Sequence, residues 1–94
     1  MNNIDMTLRM MLNNINKFKN VGPRPYTSPK SPMHTPRNNF SFAMEMITEH
    51  SLSTKPDGSD MTSYQDTCIL TPLGSRYLGM LNSEFRQFYT FYNL

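Results

Sequence analysis

The residues that could support chemistry are few, and they are scattered along the chain. The two histidines, His34 and His50, and the single cysteine, Cys68, do not have the spacing of a metal-ligand set. The four glycines stand singly and form no phosphate-binding loop, and no serine or cysteine has an identifiable base. The sequence therefore predicts a binding protein without catalytic residues, cofactor or metal, rather than an enzyme.

Charge is unevenly distributed between the two parts of the chain. Residues 1–40 contain six Lys and Arg against one Asp, whereas residues 41–94 contain three Lys and Arg against six Asp and Glu, so +5 and −3 make up the net +2. A basic front favours contact with a polyanion. The candidate residues for nucleic-acid contact are Arg24, Lys30 and Arg37, in a segment where a Ser-Pro-Lys-Ser-Pro run could follow a DNA minor groove or form a semi-rigid connector.

The spacing of apolar residues predicts one domain over residues 1–94, with helices, a hairpin and a proline-rich connector. The expected bounds are a helix at 4–19, the connector at 21–37, a helix at 38–50, a wing-like hairpin at 51–70 and a helix at 72–92. Asn2 or Asn3 can cap the first helix, and Gly22 with Pro23 can end it. The buried positions expected in the first two helices are Ile4, Leu8, Met11, Leu12, Ile15, Phe18, Phe42, Ala43, Met46, Ile47 and His50.

Cys68 lies within a short apolar strand, so we expect a buried thiol. One cysteine allows no internal disulfide, which fits a reducing cytoplasm. No apolar run approaches the roughly 20 residues of a membrane span, and the N-terminus lacks a signal-peptide core, so we expect no membrane association.

The exposed side of the second helix is acidic. Glu45 and Glu49 are its charged residues, and the hairpin that follows adds Asp57 and Asp60. Acids in these places repel phosphates, so a protein partner is favoured over duplex DNA. The predicted partner-binding residues are Glu45, Thr48, Glu49, Asp57 and Asp60, which would meet basic groups of that partner.

The last helix has apolar residues at heptad spacing. Two interpretations remain open: the helix lies across its own domain, or it forms the seam of a homodimer. The candidate seam residues are Leu78, Leu81, Phe85, Phe88 and Tyr92.

The run from Ile69 to Leu78, I-L-T-P-L-G-S-R-Y-L, resembles the point in winged-helix proteins where the wing closes and the last helix begins. The matching positions are Leu70, Thr71, Gly74 and Leu78. This resemblance implies an α+β winged helix-turn-helix-like domain with a two-stranded wing and a long C-terminal helix.

A second run, R-N-N-F-S-F-A-M-E from Arg37 to Glu45, together with the first resembles small winged-helix proteins of short-tailed coliphages. Those proteins inhibit the host's stationary-phase RNA polymerase holoenzyme. The implied function is binding and inhibition of a host protein in the host cytoplasm. The alternatives are a DNA-binding transcription regulator and a small structural virion component.

Overall fold

A computed structural model describes residues 2–19 and 37–92, with the side chains of Arg37 and of residues 88–92 left out of the description. Within these residues the order of elements is α1 (Asn3–Lys17), α2 (Arg37–Glu49), β1 (Ser53–Thr54), β2 (Ile69–Leu70) and α3 (Pro72–Tyr92). The strands pair antiparallel, with Ser53 opposite Leu70 and Thr54 opposite Ile69. The described chain is thus a small α+β fold of three helices and a two-stranded sheet, and the predicted α+β class is confirmed.

α1 begins after Asn2, one of the two predicted capping residues. The side chain of Asn2 accepts a hydrogen bond from the Asp5 N–H at 2.7 Å, which satisfies a donor that has no partner inside the helix. The helix ends at Lys17, two residues before the expected bound, and the Phe18 N–H donates to the Asn14 carbonyl at 2.8 Å. The predicted stop at Gly22 and Pro23 lies outside the described residues.

α2 ends in a Schellman motif, in which the chain turns through one left-handed residue. Ser51 has φ 50°, its N–H donates to the Thr48 carbonyl at 3.3 Å, and the Leu52 N–H reaches back to the Ile47 carbonyl at 3.0 Å. Ile47 and Leu52 are both buried, as the hydrophobic contact of this motif requires. This turn delivers the chain from α2 into β1.

The inward face of α2 differs from the expected one. Ala43 and Ile47 are fully buried as predicted, but Phe42 is 53% exposed and His50 is also exposed, so both were wrongly assigned to the core. Phe40 and Met44 pack against the core instead. Residues two apart on a helix point about 200° apart, so only one of Phe40 and Phe42 can face inward.

The loop between the strands folds back onto the domain. Its first part is a tight turn, in which the Gly58 N–H donates to the Lys55 carbonyl at 2.8 Å and Gly58 has φ 87°, a left-handed conformation that favours glycine. Its second part buries Met61 and Tyr64, and the Tyr64 ring meets the Phe40 ring edge-on at 5.5 Å between centroids. The second part of the wing-like hairpin is therefore embedded in the core.

Thr71 ties the start of α3 to the end of α2. Its hydroxyl accepts the Gly74 N–H at 3.0 Å, as an N-cap does, and donates to the Ser51 carbonyl at 2.6 Å. Its N–H donates to the Leu52 carbonyl at 3.1 Å. Gly74 lies so close that a Cβ built there would overlap the Leu52 carbonyl oxygen and would lie 2.7 Å from the carbonyl carbon. The helix therefore needs glycine at this position.

The core lies between the three helices and the inner side of the hairpin. Cys68 is fully buried in it, as the sequence predicts. Its fully or nearly fully buried hydrophobic members are Leu8, Met11, Leu12, Ile15, Ala43, Ile47, Leu52, Met61, Tyr64, Cys68, Leu78 and Leu81. Of the helices described, none is both long enough and apolar enough to span a bilayer.

Candidate functional site

The candidate site is an exposed line of side chains along α2, which we call the acidic aromatic stripe: Phe42, Glu45 and Glu49. Residues three and four apart lie on one side of a helix, so these three side chains form one surface. All three are exposed. The stripe exists because Ala43 and Ile47 turn the opposite side of α2 toward α1 and the hairpin.

The two carboxylates of the stripe lack a neutralising partner in the part of the chain that the structure describes. Within residues 2–19 and 37–92, Glu45 and Glu49 have no hydrogen-bonding or ion-pair partner for their side chains. Two like charges four residues apart disfavour a helix slightly, and an acid in the last turn faces the negative end of the helix dipole. The two acids of the stripe therefore lower the stability of α2. Residues that lower stability without a structural role are typical of binding surfaces.

Thr48, a predicted partner-binding residue, is used inside the helix. Its hydroxyl lies 3.2 Å from the Met44 carbonyl and 3.0 Å from the Glu45 carbonyl, to which it donates. The side chain is half-buried. It contributes to the local geometry of α2 rather than to an open hydrogen-bonding surface.

The two predicted acids of the hairpin have different surroundings. Asp57 accepts the Ser59 hydroxyl at 2.6 Å and the Ser59 N–H at 2.9 Å, and these bonds, the hydroxyl first, hold its pKa below the ordinary value. Asp60 is exposed and pairs through its backbone with Thr54. The Asp57 carboxylate thus forms hydrogen bonds within the turn, while the Asp60 side chain is exposed at the surface.

The predicted basic residues cannot be placed. Arg24 and Lys30 lie outside the described residues, and Arg37 is described only as the first backbone residue of α2.

The predicted dimer seam is largely occupied by the domain itself. Leu78 and Leu81 are buried in the core, so neither is free to contact a second chain and their assignment to a seam is corrected. Phe85 is half-buried beneath Arg9, and the side chains of Phe88 and Tyr92 are outside the description. At Leu78, Leu81 and Phe85, the heptad spacing therefore corresponds to packing of α3 against its own domain.

One cluster, which joins α1 to α3, was not predicted from the sequence. The Arg9 Nε donates to the Asn82 Oδ1 at 2.8 Å, and the guanidinium carbon lies 3.8 Å from the centroid of the Phe85 ring. The Asn13 amide lies 3.4 Å from the same oxygen. Partial burial lowers the pKa of Arg9. This cluster fastens α1 to α3, and only the packing of the two helices brings it together.

Phe42 was also missed as a surface residue. The signal was available in part, because Phe40 and Phe42 cannot both face inward. Which of the two does so depends on Tyr64, whose ring contacts Phe40.

No group of three His, Cys, Asp or Glu side chains that could hold a metal ion occurs in the part of the chain that the structure describes. Comparison of this chain with family models, with curated protein sequences and with solved structures found no match.

Proposed function

We propose that this chain is a non-enzymatic protein-binding module that docks the acidic aromatic stripe of α2 on a basic surface of a partner protein. The observation that carries the proposal is that Phe42 is 53% exposed and shares one side of α2 with Glu45 and Glu49. The carboxylates of these two residues have no partner among the described residues.

Each part of the stripe has a physical role in such a contact. An aromatic side chain that becomes buried at the centre of an interface is a common source of binding energy. Flanking carboxylates speed and orient association with a basic surface. The same carboxylates repel phosphates, which disfavours α2 as a reader of duplex DNA.

We further propose that the fold is a winged-helix variant. The order helix, helix, strand, strand, helix supports this, as does the short hairpin that follows α2. In this arrangement α2 takes the place of the recognition helix, and an acidic surface there favours a protein over DNA.

The most specific form of the proposal names the partner as a bacterial host's RNA polymerase and the outcome as its inhibition in the host cytoplasm. Its support is the resemblance of the Arg37 to Glu45 and Ile69 to Leu78 segments to phage inhibitors of that enzyme.

The test is direct binding to purified RNA polymerase holoenzyme containing the stationary-phase sigma factor, with the chain immobilised. Phe42→Ala is expected to weaken binding about tenfold or more, because it removes the aromatic anchor. Its matched control is Phe40→Ala, which removes a ring from the core and should lower stability by about 2–3 kcal/mol. If Phe42→Ala stays folded but binds more weakly, the lost binding comes from a lost contact with the partner and not from unfolding.

Glu49→Lys sharpens the test because it moves binding and stability in opposite directions. A lysine at this position pairs with Glu45 in the favourable order and faces the negative end of the helix dipole, so α2 should gain about 0.5–1 kcal/mol. Binding to a basic surface should fall. Asn16→Lys, an exposed position on α1, controls for a general increase in positive charge.

Unchanged binding in both Phe42→Ala and Glu49→Lys would reject the stripe as the contact surface. Failure of the wild-type chain to bind the polymerase would reject that partner. Binding to mixed-sequence duplex DNA that falls steeply with salt, and that Glu49→Lys strengthens, would replace the proposal with the DNA-binding alternative.

A further inference from the structure

The outer side of α3 has an apolar patch that the described residues leave exposed. Leu73 is 48% exposed and Met80 is 52% exposed, and they are seven residues apart, so they lie on one side of the helix. They are two of the four large hydrophobic side chains that are exposed among the described residues. The core-facing side of α3 carries Leu78 and Leu81, which lie about 160° and about 100° around the helix from Met80.

Two charges flank this patch in a symmetrical arrangement. Arg76 lies four residues before Met80 and Glu84 lies four residues after it, and both are exposed. Four residues turn a helix by about 400°, so the two side chains are offset about 40° to opposite sides of Met80 and about 6 Å along the axis in either direction. Within the described part of the chain, neither has a hydrogen-bonding or ion-pair partner for its side chain.

We propose that a second copy of this chain covers the patch, in an antiparallel dimer of α3 helices whose two-fold axis passes beside Met80. A two-fold axis there brings Glu84 of each copy to the same level along the helix pair as Arg76 of the other, diagonally across the interface, because the two positions lie about 6 Å from Met80 along the helix axis in opposite directions. The same operation places Leu73 opposite Gln87, which is exposed. The interface is self-complementary in charge, with Met80 of both copies at its centre.

The charge pattern selects this arrangement over a parallel one. In a parallel pair, Arg76 would face Arg76 and Glu84 would face Glu84, and like charges held opposite each other oppose association. The patch lies on a different helix from the acidic aromatic stripe. The dimer and the proposed function are therefore independent, and each can fail without the other.

The first measurement is sedimentation equilibrium of the wild-type chain over a range of concentrations. The expected species at high concentration has twice the chain mass of 10.9 kDa. A monomer at all concentrations up to about 1 mM, the scale of weak association, would overturn the proposal.

Cysteine cross-linking then tests the position of the axis. Met80→Cys places two thiols beside the axis, where helices in contact bring Cα atoms within the roughly 4–7 Å that a disulfide spans. Leu73→Cys is the matched control, because seven residues on each side of the axis separate its two thiols by about 21 Å. Under mild oxidation we expect a cross-linked dimer from Met80→Cys and none from Leu73→Cys or from the wild type, whose Cys68 is fully buried.

Charge reversal gives an independent test that needs no cross-link. Arg76→Glu alone and Glu84→Arg alone each convert two attractive pairs into two repulsive pairs and should weaken the dimer about tenfold. The double variant restores both pairs and should restore dimerisation. Residues 76 and 84 of one chain are about 12 Å apart along the helix, so the rescue requires the second copy.

Efficient cross-linking of both cysteine variants would indicate a parallel or non-specific contact and would overturn the antiparallel arrangement. Failure of the double charge variant to recover would do the same.

Discussion

Gly74 is the position where a single methyl group should have the largest effect on this fold. A Cβ there would overlap the Leu52 carbonyl oxygen and lie 2.7 Å from its carbon, whereas ordinary contact begins near 3.4 Å. The carbonyl carbon must therefore retreat by about 0.7 Å, and the oxygen by more. That oxygen accepts the Thr71 N–H at 3.1 Å, and the Leu52 side chain is buried in the core.

The magnitude follows from these contacts. Losing a buried backbone hydrogen bond costs about 1–3 kcal/mol, and displacing a packed core residue costs a similar amount. Replacing a helical glycine by alanine returns about 1 kcal/mol. Gly74→Ala should therefore lower the free energy of unfolding by about 3 kcal/mol, which is about 10–25 °C in Tm for a domain of this size.

Gly79→Ala is the matched control in the same helix. Nothing lies within 4 Å of a Cβ at Gly79, so this variant should gain about 0.5–1 kcal/mol from helix propensity alone. The assay is urea unfolding followed by far-ultraviolet circular dichroism at one protein concentration, since a dimer would make the midpoint concentration-dependent. An unfolding midpoint for Gly74→Ala equal to or above that of Gly79→Ala would refute the close approach of α3 to Leu52.

Three further perturbations test the other contacts that hold the fold together. Ser51→Gly should raise the free energy of unfolding by about 1 kcal/mol, because φ 50° strains a side chain there; a lower urea midpoint would contradict the Schellman motif. Arg9→Lys should lower it by about 1 kcal/mol although the charge is kept, because lysine cannot both reproduce the Nε bond to Asn82 and stack flat on Phe85; equal urea midpoints would show that the cluster adds no stability. The N–H groups of Thr62 and Ser63 hold the Asp66 pKa below its ordinary 3.8, so its stabilisation is present above about pH 4 and is lost as the pH falls through the lowered value. Asp66→Ala should therefore narrow the difference in urea midpoint between neutral and acid pH, and an unchanged difference would argue against the turn.

The sequence predicts those parts of the fold that depend on neighbouring residues, such as helix ends and tight turns. Asn2 caps α1, Thr71 and Pro72 begin α3, and Asp57 with Gly58 makes the turn, because each depends on the backbone preference of residues adjacent in the chain. The apolar periodicity of α1 correctly gave most of its buried face, since one face of an isolated amphipathic helix needs no knowledge of its partner.

Part of the candidate site could also be predicted from the sequence. Glu45 and Glu49 are exposed as predicted, because charged groups without partners are costly to bury. The exposure of Phe42 could not be predicted, because either Phe40 or Phe42 could have occupied the one inward position.

Tertiary structure alone decided which surfaces are free. The Phe40 ring faces inward because Tyr64, twenty-four residues later in the chain, folds back to meet it, and this releases Phe42 to the surface. Leu78 and Leu81 were equally suited to a core or to a dimer seam, and the packing of α3 against the domain placed them inside. Heptad spacing identifies a buried side of a helix, but what covers that side is fixed by long-range packing, which no local pattern encodes.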